Sequence, residues 1–215
     1  NVKKPGVPLV LIPSTSGTGA EVTPNAIVTL QDEKLKAGIV SPYLYPRLVI
    51  LDASLTLLLP KAITAATGMD AYTHALESFI SNKANSISDM FAAESMRLIS
   101  ESLLGAYDNG DSRKDREQML VGSMYGGMAL SASGTAAVHA LAYPLGGEYN
   151  VAHGVANSML LPHVMKFNAD AIRDRLKQAA VISGAASPDD SADQAAEKLV
   201  DMLVGWVKHM NIPQN

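Results

Sequence analysis

The sequence predicts an α+β chain in which the two kinds of structure occupy separate segments, with short strands in residues 1–58 and helices alone in residues 59–215. Before residue 59 the apolar and β-branched runs are short and bounded by Pro, Gly or polar residues, which is typical of strands. From Pro60 onward the chain is rich in Ala, Leu and Met, and its apolar residues recur at helical spacing. We expect this change of texture to divide two domains.

The first segment predicts four strands, at Pro8–Ile12, Ala26–Leu30, Ala37–Val40 and Leu48–Leu51. In the second segment Pro60 suits a first helical position. Polar residues in the capping-box pattern then predict three further helix starts. These starts are Ser86–Asp89, before a helix running towards Tyr107, Ser112–Asp115, and Ser191–Gln194, before a last helix ending near His209.

Composition excludes several classes of protein. The net charge is mildly negative, and no basic cluster suggests a nucleic-acid surface. No apolar run approaches the roughly 20 residues of a membrane-spanning helix, so we expect no membrane partner. Cysteine is absent, which excludes disulfides and zinc–thiolate sites. We therefore expect a cytoplasmic protein and, because the chain begins with Asn1 rather than Met, a fragment or a processed product.

One carboxylate and three imidazoles form a pattern that a divalent metal could collect. Asp70 and His74 are four residues apart, so on a helix their Cβ atoms are about 5–6 Å apart on one face. His139 and His153, beside small residues, would have to be brought in by folding. Three imidazoles and a carboxylate suit Fe²⁺ or Zn²⁺, whereas Mg²⁺ and Ca²⁺ prefer oxygen ligands.

For Asp70 and His74 alone, the better interpretation is two unrelated polar residues on one helix face, since helical i, i+4 pairs are common. The apolar surroundings favour a shared ion, because burying Asp70 or His139 without a partner is costly. Three other polar residues receive structural interpretations. His163 is expected to be a structural polar residue, His209 a surface residue near a helix C-terminus, and Glu77 a support for a ligand or a cap for a neighbour.

The loop Pro13–Glu21 is small, hydroxylated and glycine-rich, and its backbone could approach a phosphate closely. It is neither a GxGxxG nor a Walker motif. Taken alone, the loop is better explained as an ordinary turn after a strand, because Ser/Thr/Gly loops are common there.

Four motifs together resemble the iron-containing (group III) alcohol dehydrogenases, in the same order and with similar spacing from about residue 8 to about residue 168. These motifs are Pro13–Thr23, Gly68–Glu77, His139–Gly147 and His153–Asn157. The resemblance implies that residues 1–58 are the C-terminal part of an α/β dinucleotide-binding domain and that residues 59–215 form a helical metal-binding domain. It also implies metal ligands at Asp70, His74, His139 and His153, and contacts to NAD or NADP from Ser14, Thr15, Thr18, Thr23, Lys36 and Leu55.

Two departures from the family pattern stand out. Many members have a histidine where this chain has Tyr143, and that histidine is often assigned to proton transfer or substrate contact. Tyr143 is therefore our candidate catalytic residue, although its ring could instead only shape the pocket; Pro144 is expected to end the helix there. The resemblance also implies that most of the N-terminal nucleotide-binding half and the extreme C-terminus are absent, so we expect this fragment alone to be inactive.

The implied activity is hydride transfer between nicotinamide and a metal-bound primary alcohol or diol, with Fe²⁺ or alternatively Zn²⁺ as the metal. A glycerol dehydrogenase-type or maleylacetate reductase-type member is a related interpretation. A non-catalytic helical module that keeps the metal site for binding or assembly is the alternative from another class. The expected partners are a small alcohol or aldehyde and further copies of the chain, in a dimer or larger homo-oligomer.

Overall fold

The structure, a computed structural model, describes residues 2–30 and 35–214, and gives the backbone alone for residues 29, 30, 35 and 36. In the first segment β1 (Val10–Leu11) pairs in parallel with β4 (Leu48–Val49). β2 (Asn25–Leu30) and β3 (Leu35–Val40) form an antiparallel hairpin, with Asn25 opposite Val40. Strands therefore form at all four predicted places, although β1 and β4 are shorter than their apolar runs.

Six helices follow within the described residues: α1 (Lys61–Ile80), α2 (Ser86–Asp108), α3 (Arg113–Ser133), α4 (Ala137–Glu148), α5 (His153–Ile182) and α6 (Ala192–His209). The predicted fold class is confirmed, with a few short strands followed by a helical region. No helix among the described residues is both long enough and apolar enough to cross a membrane.

Capping boxes form at the starts of α2 and α6. The box at Ser191 and Gln194 forms as predicted at α6. At α2 the prediction is wrong by one residue, because Asn85 is the cap and exchanges hydrogen bonds with Ser88. Asparagine caps as well as serine does, so the pattern alone did not separate the two positions.

Helix α1 is the centre of the helical region, and it packs against α2, α3 and α5. Its middle is buried on nearly every side, including Met69, Tyr72 and Leu76. The Tyr72 ring meets Trp206 of α6 edge to face, and its hydroxyl lies 2.7 Å from Ser183 Oγ. Polar side chains in the middle of α1 therefore lie where water has little access.

The expectation that Pro144 ends its helix is wrong, because α4 continues through it to Glu148. A proline inside a helix removes the hydrogen bond to the carbonyl four residues earlier, here that of Ala140. Both Ala140 and Pro144 are exposed, so water can satisfy that carbonyl. The helix therefore tolerates the proline.

Candidate metal centre

The structure brings the four predicted metal ligands together. Asp70 and His74 come from the middle of α1, His139 from the first turn of α4, and His153 is the first residue of α5. One donor atom from each lies within 4.8 Å of all the others. Asp70 Oδ1 is 3.9 Å from Nε2 of His74 and 3.6 Å from Nε2 of both His139 and His153. Four side chains from three helices thus point at one place.

A close backbone approach positions His153. The next residue, Gly154, lies against α1, where an added Cβ would be 2.3 Å from the carbonyl oxygen of Ala66. Contacts under 3.0 Å are not tolerated by a real Cβ, so glycine allows the start of α5 to reach α1. The N-terminal residue of α5 is therefore held beside the ligands that α1 supplies.

Glu77 orients His139. Its carboxylate is fully buried and accepts hydrogen bonds from the backbone N–H of Val138, at 2.6 Å, and of His139, at 3.3 Å. It also lies 2.6 Å from His139 Nδ1. The sequence led us to expect that Glu77 supports a ligand or caps a neighbour. It does both, because it caps α4 and supports a candidate ligand. A carboxylate behind a histidine in this way directs the other ring nitrogen towards the metal.

The outer nitrogen of His74 is held by the glycine-rich loop, since His74 Nδ1 lies 3.3 Å from the carbonyl oxygen of Gly17. That loop also packs on α1, where a Cβ at Gly17 would be 2.8 Å from Thr67 Cβ. The ring of His74 stacks on that of His139 with centroids 4.6 Å apart. Both deeply buried imidazoles therefore have a fixed orientation.

Electrostatics tie the four groups together. Burial alone would raise the pKa of the Asp70 carboxyl, but the neighbouring imidazoles, His74 first, hold that pKa well below its usual range. Burial lowers the pKa of His74 to about 4, against the attraction of Asp70. Burial also opposes the charged form of His139, but the nearby carboxylates of Asp70 and Glu77 raise its pKa to about 9. The buried carboxylates of Asp70 and Glu77 therefore favour a positive charge between them. A bound cation would supply such a charge.

A cavity of about 410 Å³ opens onto the four donors. Its other lining residues come from the glycine-rich loop and the residues just after it, from β2, from α3 and the connection that follows it, and from α4. They include the predicted cofactor residues Thr18 and Thr23 and the candidate catalytic residue Tyr143. The remaining lining residues are Ala20, Asn25, Ile27, Leu130 and Thr135, none of which the sequence singled out.

Three other predicted cofactor residues, Ser14, Thr15 and Leu55, do not line this cavity. Ser14 is exposed and Thr15 half-buried on the same loop, and Leu55 is exposed in a short helical turn, Ala53–Thr56. The side chain of Lys36 lies outside the described residues. A role in cofactor binding stays a prediction for all six residues.

Tyr143 lies at the rim of the site. Its side chain is on the face of α4 that carries His139, and its ring centroid is 6.0 Å from that of His153. It is 40% exposed and is not one of the four converging groups. Burial raises the pKa of its phenol, and the Asp70 and Glu77 charges raise it further. At neutral pH the phenol is therefore protonated and is a hydrogen-bond donor.

The remaining histidines lie elsewhere, as the sequence predicted. His163 is exposed on α5, and His209 ends α6, where its Nε2 is 3.0 Å from the Asp108 carboxylate.

The sequence analysis missed one residue of the site, Asn157. Asn157 is fully buried and its amide nitrogen contacts three of the candidate ligands. Its position four residues after His153 was the available signal, since such residues share a helix face.

The arrangement fits a metal ion. Three imidazole nitrogens and one carboxylate oxygen are a donor set for Fe²⁺ or Zn²⁺. The donors are close enough to contract onto bonds of about 2.0–2.2 Å. Glu77 and the Gly17 carbonyl already hold the outer nitrogens of two of the imidazoles. In addition, the amide oxygen of Asn157 has no hydrogen-bond partner among the described residues, so its side chain is oriented by this cluster.

Comparisons with known proteins identify the family of the chain. The profile of the "Fe-containing alcohol dehydrogenase family, C-terminal" matches residues 64–215, and that of "Iron-containing alcohol dehydrogenase" matches residues 1–53. Long-chain-alcohol dehydrogenase 1 of Geobacillus thermodenitrificans is 40% identical over 213 residues, which are 99% of this chain and 53% of that protein. The chain thus spans about half the length of the curated relatives it matches.

Solved structures share the fold as well. A crystal structure of 1,3-propanediol oxidoreductase is similar with a TM-score of 0.95 and 38% identity, covering 100% of this chain and 56% of that one. The sulfoacetaldehyde reductase of Bifidobacterium kashiwanohense, solved in complex with NAD⁺, is similar with a TM-score of 0.87 and 30% identity, covering 97% and 53%. With both profiles matched along the chain, the protein belongs to the iron-containing alcohol dehydrogenase family.

Proposed function

We propose that the protein takes part in metal-dependent, NAD(P)-linked interconversion of a primary alcohol or diol and its aldehyde. The observation that carries this proposal is the shared cavity, in which the four-donor cluster and the hydroxyl-bearing loop residues Thr18 and Thr23 line one space. Relatives named as alcohol dehydrogenase, propanediol oxidoreductase and sulfoacetaldehyde reductase support the same class of reaction.

The proposed division of labour follows the two segments. Residues 1–58 would be the C-terminal part of a dinucleotide-binding domain, and residues 59–215 the helical metal-binding domain. The NAD⁺ complex of the B. kashiwanohense relative supports a nicotinamide cofactor. We propose that Ser14, Thr15, Thr18, Thr23, Lys36 and Leu55 contact it.

Asp70, His74, His139 and His153 would hold the ion, and Fe²⁺ is the first candidate because both matched profiles are named for iron, with Zn²⁺ the alternative. The bound cation supplies Lewis acidity at a substrate oxygen, and the nicotinamide supplies the partner for the hydride.

The chain's own residues would exclude water and orient the substrate. Asp70, His74 and His139 are buried, whereas the His153 side chain, which also lines the cavity, is 32% exposed. A substrate oxygen would therefore approach past His153 and Tyr143. The Tyr143 phenol can donate a hydrogen bond to that oxygen, and the apolar side chains of Ile27 and Leu130 line the cavity beside it.

The test is an assay of the protein expressed from its complete reading frame. Chelator-treated protein should oxidise no alcohol with NAD or NADP, and Fe²⁺ or Zn²⁺ should restore the activity. His139→Ala should remove both metal and activity, whereas His163→Ala, which changes an exposed histidine outside the cluster, should preserve both. Full activity in metal-free protein, or in His139→Ala, would refute the proposal.

A further inference from the structure

Asn157 is the buried polar side chain at the centre of the site whose role the proposed function leaves open. It is fully buried in the first turns of α5. Its amide nitrogen lies 2.6 Å from Asp70 Oδ1, 3.1 Å from His139 Nε2 and 3.2 Å from His153 Nε2. All three atoms are among the four that would bind the ion, so the amide nitrogen lies next to the place where the ion would bind.

The orientation of the amide is fixed by Asp70. If the amide were turned over, its oxygen would lie at the nitrogen's place, beside a carboxylate oxygen and at a repulsive distance. With the nitrogen inward, the oxygen is left buried with no partner among the described residues. An unsatisfied buried acceptor costs about 1–3 kcal/mol. The side chain thus gives up one hydrogen bond in order to donate to Asp70.

We infer that Asn157 is a positioning residue of the metal centre, which acts by holding the Asp70 carboxylate in the orientation that binds the ion. A carboxylate oxygen has two lone pairs, so Asp70 Oδ1 can accept from the amide and still bind a cation. Each imidazole Nε2 has a single lone pair, which the ion takes. The hydrogen bond from the Asn157 amide to Asp70 is therefore kept when the metal is bound, whereas its contacts with His139 and His153 are lost.

The consequence is a loss of metal affinity when the amide is removed. Hydrogen-bond partners of metal ligands typically change affinity by about tenfold to a hundredfold. Asn157→Leu keeps the branched shape of the side chain and removes the donor, so it should raise the Kd for Zn²⁺ by about tenfold or more. Ser158→Ala is the matched control, because Ser158 is the next residue and is equally buried, and among the described residues its hydroxyl bonds only within α5, to the Gly154 carbonyl.

A double-mutant cycle separates positioning from a general structural effect. The inference rests on the proposed metal site, which zinc binding by the wild type tests separately. If Asn157 acts through the Asp70 carboxylate, Asn157→Leu should change the Kd little once Asp70→Asn has removed that carboxylate. Zinc competition with a chromogenic chelator gives the four Kd values, and circular dichroism checks the helical fold of each variant.

Three results would overturn the inference. They are an unchanged or tighter Kd in Asn157→Leu, an equal loss of affinity in the wild-type and Asp70→Asn backgrounds, and an equal loss in Ser158→Ala. Should the leucine variant lose its helical signal, Asn157→Ala carries the same cycle with the same expectations. Failure of the wild type itself to bind zinc would refute the proposed function instead.

Discussion

Replacing Glu77 with glutamine separates the orientation of a metal ligand from its identity. The carboxylate now accepts from the backbone N–H of Val138 and of His139 and also lies 2.6 Å from His139 Nδ1. A glutamine oxygen can still accept from the backbone, but its NH₂ group then faces Nδ1. The ring loses its acceptor, or it moves a proton to Nε2 and loses the lone pair that would bind the ion.

The size of the effect follows from the contact that is lost. Hydrogen bonds to charged groups contribute about 1.5–3 kcal/mol, and about 1.4 kcal/mol corresponds to a tenfold change in a dissociation constant. Glu77→Gln should therefore raise the Kd for Zn²⁺ by about 10- to 100-fold. Because the cap on α4 is weakened as well, the free energy of unfolding of the ion-free protein should fall by about 1 kcal/mol.

Chelator competition measures the first quantity, and urea unfolding followed by circular dichroism measures the second. Glu101→Gln is the control, since this carboxylate is exposed on α2 and pairs only with the half-buried Arg97 among the described contacts. A Glu77→Gln protein that binds zinc as tightly as the control would refute the view that Glu77 orients His139.

Two other substitutions test neighbouring parts of the site. Tyr143→Phe should leave the Kd for Zn²⁺ near the wild-type value and change the rate or the substrate preference across an alcohol panel. Loss of bound metal in this variant would mean that the tyrosine is a ligand. Unchanged kinetics would mean that the ring only packs against its neighbours. Gly154→Ala would put a methyl group 2.3 Å from the Ala66 carbonyl oxygen, so it should destabilise the protein by about 1–3 kcal/mol and weaken metal binding. Gly205→Ala is the control, because an added methyl group there meets open space on α6. It should change neither the stability measured by calorimetry nor the metal affinity measured by titration.

Local patterns predicted the parts of this molecule that depend on neighbours in sequence. The i, i+4 spacing of Asp70 and His74 was sufficient to bring them to one face of α1. Apolar runs located the four strands, and the polar capping pattern located the starts of α2, α3 and α6 to within one residue. Periodicity could not show that Pro144 lies inside α4, because that depends on whether water reaches the Ala140 carbonyl.

The long-range parts of the site required a different source of information. His139 follows His74 by more than sixty residues, and its place beside Asp70 came from the apolar surroundings and the family motifs. The sequence analysis missed Asn157 because a neutral amide is not an ordinary metal ligand. Its importance depends on its contact with Asp70, which only the structure shows. The resemblance also named Ser14, Thr15 and Leu55, which lie outside the cavity of this chain, so their cofactor role still rests on the family pattern.

The most direct test of the account is anomalous X-ray diffraction from crystals of the protein loaded with Fe²⁺ or Zn²⁺, measured at the absorption edge of the metal. We expect one peak at about 2.0–2.2 Å from Asp70 Oδ1 and from Nε2 of His74, His139 and His153. No peak at the cluster, or a peak that fewer than three of these four side chains bind, would contradict it.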